Sequence, residues 1–178
     1  MRTTRDLIIV GALLAGILAG LVGLGALVYR HYYPYGAKSC YLPIVLTELR
    51  VYAGSHEGTF PAGGRTSLES LAVLYPRYVP SPEMLAGISG DAEAFKRRLR
   101  EGGVLEDGLS SWVYWPGLRE DDDPGTAILW EQRAGLRFNG KRGHGHAVGF
   151  VGGTMRQIID ADWPTFLREQ EKLRTKAL

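Results

Sequence analysis

The chain has 178 residues, 45% of them hydrophobic, with 21 basic against 19 acidic side chains and a single cysteine. Near-neutral charge leaves no electrostatic footprint for nucleic acid, so that partner class is set aside. One cysteine forbids an internal disulfide, and cysteine usage therefore does not settle the compartment.

Residues 1–6 are a short tail carrying Arg2, Arg5 and Asp6. An uncharged apolar run follows from Leu7 to Val28, about 22 residues and long enough to cross a bilayer as a helix. A signal peptide would have an apolar core of only about 7–15 residues with a small-residue cleavage site close behind it. Here Ala37-Lys38-Ser39 comes only after Arg30, Pro34 and a cluster of tyrosines, and a lipoprotein site at Cys40 lies just as far from the run. A buried helix of a soluble protein is rarely apolar on every face. The run reads as a retained membrane helix over residues 7–29, in contact with the lipid bilayer.

Small residues recur along this helix at four-residue spacing. Ala12, Gly16 and Gly20 form one stripe, and Gly11, Ala15, Ala19 and Gly23 a neighbouring one. Such stripes let helix backbones approach closely in lipid, which points to another membrane subunit as partner. Gly is also common in membrane spans for no such reason. Arg2 and Arg5 precede the span and Arg30 and Lys38 follow it, so the positive-inside count is nearly tied. A short tail before a long domain favours a cytoplasmic N-terminus and an extracytoplasmic, periplasmic domain at a cell (inner) membrane. Tyr29, Tyr32, Tyr33 and Tyr35 read as an interfacial aromatic belt, running from the end of the helix into a linker over residues 30–39 broken by Pro34 and Gly36.

The rest, residues 40–178, is long enough for one compact domain. Leu42, Val45, Leu46 and Leu49 with Tyr52 or Ala53 recur at three and four, predicting an amphipathic helix that starts near Tyr41 and stops at Gly54. Pro43 fits only its first turn. Cys40 reads as an ordinary buried thiol, with pairing to another chain as the alternative. A loop rich in breakers precedes a second helix from Ser67 to about Leu74, capped by Thr66 or Ser67. Residues 75–82 are too rich in proline for regular structure. Asp91 caps a third helix that ends at Gly102-Gly103. Residues 110–117 and 126–132 are rich in β-formers and read as strands, joined across the acidic turn Glu120 to Asp123. Residues 146–153 and 154–159 read as a hairpin turning at Gly152-Gly153. A last helix runs from Asp160 or Asp162 to about Arg174. Helices first, then a small antiparallel sheet, then a short helix make an α+β domain.

The ordered segments "YxxxHxGxFP" from Tyr52, "SLxxLxxxYPxYVPSPE" from Ser67, "SSWVYWPG" from Ser110, "HGHAVGFVGGTMRQI" from His144 and "WPTFL" from Trp163 resemble the outer domain of type II secretion pseudopilin-like, or prepilin-like, membrane proteins. Tyr52, His56, Gly58, Phe60 and Pro61 match the segment after the family's helix, and Phe150, Gly152, Gly153 and Met155 its final hairpin. The resemblance implies a pilin-like domain, with helices packed on a small antiparallel sheet. Prepilins also carry a leader ending in Gly and a Glu at the start of the mature helix. Around Arg5-Asp6-Leu7-Ile8 there is neither. The resemblance therefore implies a pilin-type domain on a permanent anchor.

Chemistry is sparsely encoded. His144 and His146, two apart, would share a strand face and could hold a metal with a third ligand such as Glu131; the bland reading is a structural pair. Asp121 and Asp123 stand in an acidic run that could offer oxygens to calcium, as the resemblance implies for some pseudopilins, or could be a solvated turn. Trp112, Tyr114, Trp115 and Trp130 put aromatics on both sheet faces, so one face could be a partner surface. Lys96-Arg97-Arg98-Arg100 reads as a solvated face, with a lipid headgroup or an acidic partner as the alternative. The expected protein is non-enzymatic, has no cofactor, and acts as an accessory or structural subunit of a larger membrane complex. A pseudopilin-like component of a secretion or pilus-like system is the alternative, and a metal-assisted hydrolase a distant one.

Overall fold

A computed structural model describes residues 4–33, 36–135 and 143–177. Pro34 and Tyr35, expected to break the chain and to join the aromatic belt, lie outside the described residues, as do Met1 to Thr3. Helix α1 (Thr4–Tyr32) contains the apolar run. It extends past the expected 7–29 at both ends. Residues Gly36–Cys40 then form a short 3-10 turn where a linker was expected.

Helix α2 (Tyr41–Gly54) buries Leu42, Val45, Leu46, Leu49 and Ala53, the stripe its periodicity specifies. Pro43 sits in its first turn, where a missing N–H costs no helical hydrogen bond. Helix α3 (Ser67–Ala72) starts on Thr66, whose hydroxyl accepts from the Glu69 N–H at 3.0 Å. It ends two residues short of the expected Leu74. Helix α4 (Pro82–Ala86) follows the proline-rich stretch, with Pro82 as its opening residue. Asp91 caps helix α5 (Ala92–Glu101) through the Ala94 N–H at 2.9 Å. Gly102 ends it at φ 66°, a conformation glycine adopts without penalty.

Four strands form an antiparallel meander in chain order: β1 (Trp112–Tyr114), β2 (Ala127–Glu131), β3 (His146–Phe150) and β4 (Met155–Ile158). Gly152-Gly153 turns the last hairpin, and the Gly153 N–H closes it on the Phe150 carbonyl at 2.8 Å. Helix α6 (Trp163–Ala177) completes the chain.

Both faces of the sheet are covered. On one face Trp112, Tyr114, Ile128, Leu129, Ala147 and Val151 join α2 to α5 in the main core. Gly149 admits α2 to the sheet, since a Cβ there would lie 3.0 Å from the Leu46 side chain. On the other face Ala127, Trp130, Val148, Phe150 and Ile158 meet Phe166 of α6, with Trp163 and Leu167 alongside. The fold is thus α+β, a long apolar N-terminal helix followed by helices on a small antiparallel sheet.

Candidate functional site

Ile8–Tyr32 is the one helix among the described residues long and apolar enough to cross a membrane, and none of it is buried against the rest of the chain. Its large apolar side chains, from Ile8 to Val28, are 47% to 68% exposed. Covering twelve such side chains is worth on the order of 15 kcal/mol, given about 2 kcal/mol for full burial of each. A Cβ built at Gly11, Gly16, Gly20 or Gly23 meets nothing within 4 Å. The chain's own fold therefore does not call for glycine there, although each costs a helix about 1 kcal/mol relative to alanine. Ala12, Ala15 and Ala19 continue the same open stripes.

The histidine site expected from spacing does not assemble. His144 is exposed, while His146 is buried. The His146 ring stacks on Trp163 at 3.8 Å between centroids, on the α6 side of the sheet. Its Nδ1 lies 3.1 Å from the Glu131 backbone carbonyl. The Glu131 carboxylate points to the opposite face, because side chains alternate along a strand and Trp130 already occupies the α6 side. Among the described residues no group of three metal-ligating side chains converges.

The acidic turn is occupied by its own partners. Asp121 meets the Arg119 guanidinium at 3.2 Å, Asp122 accepts the Arg119 N–H, and Asp123 accepts the Gly125 N–H at 2.8 Å. These contacts, each through one carboxylate oxygen, fold the turn on Arg119 and on its own backbone.

The aromatic partner face is also corrected. Trp112, Tyr114 and Trp130 are buried at 4%, 2% and 5% exposure. The Trp112 indole donates to the Met84 carbonyl and the Tyr114 hydroxyl to the Pro61 carbonyl, each at 2.7 Å. Burial pushes the Tyr114 phenol well above its ordinary range. Trp115 and Trp130 pack edge to face at 5.0 Å, and Arg174 of α6 lies over Trp115. Helix α6 therefore covers the face that sequence left open. Cys40 departs from expectation in the other sense: it is exposed.

The most unusual buried group is Glu131, 2% exposed. Its carboxylate accepts from the Ser89 hydroxyl and the Ser111 hydroxyl at 2.8 Å each, and from the Ile88 N–H at 3.4 Å. Ser111 accepts in turn from the Ser89 N–H. Burial raises the Glu131 pKa, against the lowering effect of these donors and of Arg133. The arrangement ties β2 to the loop between α4 and α5. Nothing in the sequence announced Ser89, and Ser111 stood in the segment from Ser110 with no role attached.

A second polar clamp was equally silent. Gln170 of α6 accepts from the Ala127 N–H at 2.6 Å and donates to the Gly125 carbonyl at 3.2 Å. It docks α6 on the start of β2. A buried glutamine within a polar, charged helix gives no sequence signal.

The chain matches no family model, no curated protein and no solved structure, so its function rests on its own geometry.

Proposed function

We propose that the protein is a non-enzymatic, single-span membrane protein acting through protein–protein contacts, as an accessory subunit of a larger membrane complex. Its N-terminus lies in the cytoplasm, and its α+β domain outside a cell (inner) membrane. One observation carries this reading. Helix α1 is apolar and exposed on every side, and its glycines serve no contact within the chain. Glycine stripes that a fold does not need are explained by a second helix approaching in lipid.

The test is purification of the tagged full-length chain in gentle detergent, with mass spectrometry of what remains bound. A stoichiometric set of membrane subunits is expected, and Gly16→Ile with Gly20→Ile should release it while the chain stays in the membrane fraction. Recovery of the chain alone would sink the subunit reading.

The pseudopilin-like alternative draws support from α2 lying on an antiparallel meander. Against it stand the separation of α1 from α2 by a 3-10 turn and the lack of a glutamate in the span. Co-purification with secretion-system proteins would move the assignment there.

A further inference from the structure

Helix α2 covers the sheet over β3 and leaves a groove along its flank. Leu46 packs on Gly149 of β3. Met155, the β4 residue paired with Gly149, stands beside the helix. The groove between them holds about 370 Å³. Pro43, Leu46 and Val51 line it from α2 and Met155 from the sheet, and Val51 and Met155 are exposed.

The same groove carries one charge of each sign. Arg50 lines it from α2, and its side chain lies over Gly153. Glu120 lines it from the acidic turn, which hangs from the end of α2: the Glu120 N–H donates to the Gly58 carbonyl at 2.8 Å, and the Gly58 N–H to the Ala53 carbonyl at 2.9 Å. Both side chains are exposed, and neither has an ion pair among the described residues. The residues three and four away from Arg50 on its helix are Leu46, Thr47, Ala53 and Gly54, so no acid on that face neutralises it. Beyond Glu120 the turn adds three aspartates against Arg119 alone.

An apolar groove with a cation on one side and an anion on the other is complementary to itself. In a two-fold pair, residue i of one copy meets j of the other while j meets i, so the Arg50–Glu120 contact is made twice. We infer that this groove is the contact surface between two copies of the chain in one membrane, with Val51 and Met155 at its centre and two Arg50–Glu120 pairs at its rim. The inference rests on α1 being a membrane anchor. Two copies anchored in one bilayer with the same orientation are related by an axis along the bilayer normal, and such an axis keeps every residue at its own height. Groups that meet across it must stand at one height, and Arg50 and Glu120 do, since both line the same groove near the end of α2 that lies away from the span. Anchoring also removes part of the rotational freedom that association costs, so the contact can be smaller than the about 800 Å² per partner of a soluble pair.

The experiment co-expresses the full-length chain under two different tags, extracts it in gentle detergent and pulls down through one tag while reading recovery of the other. Wild type should recover itself. Arg50→Glu alone and Glu120→Arg alone should each weaken self-recovery at least about tenfold, because every pair of copies then carries two like-charge contacts. An Arg50→Glu chain expressed with a Glu120→Arg chain should restore recovery, because both contacts between them are again opposite in sign. Pairing of Arg50 with Glu120 inside one chain cannot produce that restoration, nor can variants that fail to fold. Absence of wild-type self-recovery overturns the inference. So does self-recovery that neither reversal weakens, and so does a loss that the mixed pair leaves unrestored. A chain that leaves the membrane fraction refutes the anchor, and this inference with it. Charge-dependent self-recovery that brings down no other membrane subunit supports the paired groove and sinks the accessory-subunit reading alone.

Discussion

Glu131→Gln is the most informative single substitution in the domain. The wild-type carboxylate is buried against three neutral donors, and burial raises its pKa above the value it has in the unfolded chain. The sign follows from linkage. Between the ordinary carboxylate pKa and the raised folded value, the native state binds more protons than the unfolded state, so stability falls as pH rises through that window. Above the folded pKa the penalty is constant, at about 1.4 kcal/mol for each unit of the shift. A glutamine escapes it. Its oxygen can take the place of the carboxylate oxygen that accepts from Ser111 and Ile88, and its amide can donate to Ser89, whose hydroxyl turns to accept. Glu131→Gln should therefore be as stable as wild type or more so at neutral pH, and the gain should vanish as pH falls into the ordinary carboxylate range. Glu131→Leu should instead lose about 3 kcal/mol, because the buried Ser111 hydroxyl and Ile88 N–H are left as donors without the carboxylate acceptor. Urea unfolding of the full-length chain in detergent, followed by tryptophan fluorescence across pH, reads both. If the glutamine variant is as weak as the leucine variant at pH 7, and its pH profile matches wild type, the carboxylate's charge is needed and the reasoning fails.

Two further substitutions probe the frame around this group. Gly145→Ala should cost more than about 2 kcal/mol, because φ is +113° and the new Cβ would lie 2.0 Å from the Ile158 carbonyl; thermal melting of the variant against wild type checks it, and an unchanged midpoint refutes it. Gln170→Ala should cost about 1–3 kcal/mol by orphaning the Ala127 N–H. It should also loosen α6 first, read as a red shift of the Trp163 and Trp130 emission before global unfolding.

The sequence is informative where one period governs a segment. The four apolar positions of α2, the Thr66 and Asp91 caps, the Gly102 stop and the Gly152-Gly153 turn are local devices, and each stands where its residues place it. Helix α4 escapes notice because five residues show no period, and prolines at 80 and 82 argue for a loop until Pro82 is seen as a first helical residue. The functional candidates fare differently for a physical reason. His144, His146 and Glu131 were grouped by spacing, but whether side chains converge depends on which face each strand residue takes, and a contiguous run of buried positions in β2 does not declare its faces. The aromatics read as open in the sequence because nothing in α6 announces which sheet face it will cover.

The ambiguity in β2 has a specific origin that can be tested. Ala127 pairs with Phe150 and Leu129 with Gly149, so Ile128 is an extra residue in the ladder. Ile128 and Leu129 both face the main core, whereas Ala127 and Trp130 face α6. A bulge of this kind breaks the alternation that strand reading relies on. Deleting Ile128 would restore a regular alternation, with Ala127 and Trp130 still toward α6 and Leu129 and Glu131 still toward the core. The deletion removes one fully buried side chain and the acceptor of the Trp115 N–H, a loss of about 4 kcal/mol. It should leave the Glu131 network and the Trp130 environment in place. Inserting one alanine between Leu129 and Trp130 has the opposite character: it adds volume yet turns Trp130 and Glu131 to the wrong faces, which a register-specified strand does not tolerate. The deletion variant should melt cooperatively at a lower midpoint with native-like tryptophan emission. The insertion variant should lose cooperative melting altogether. Equal behaviour of the two would mean that the bulge does not set the faces of β2.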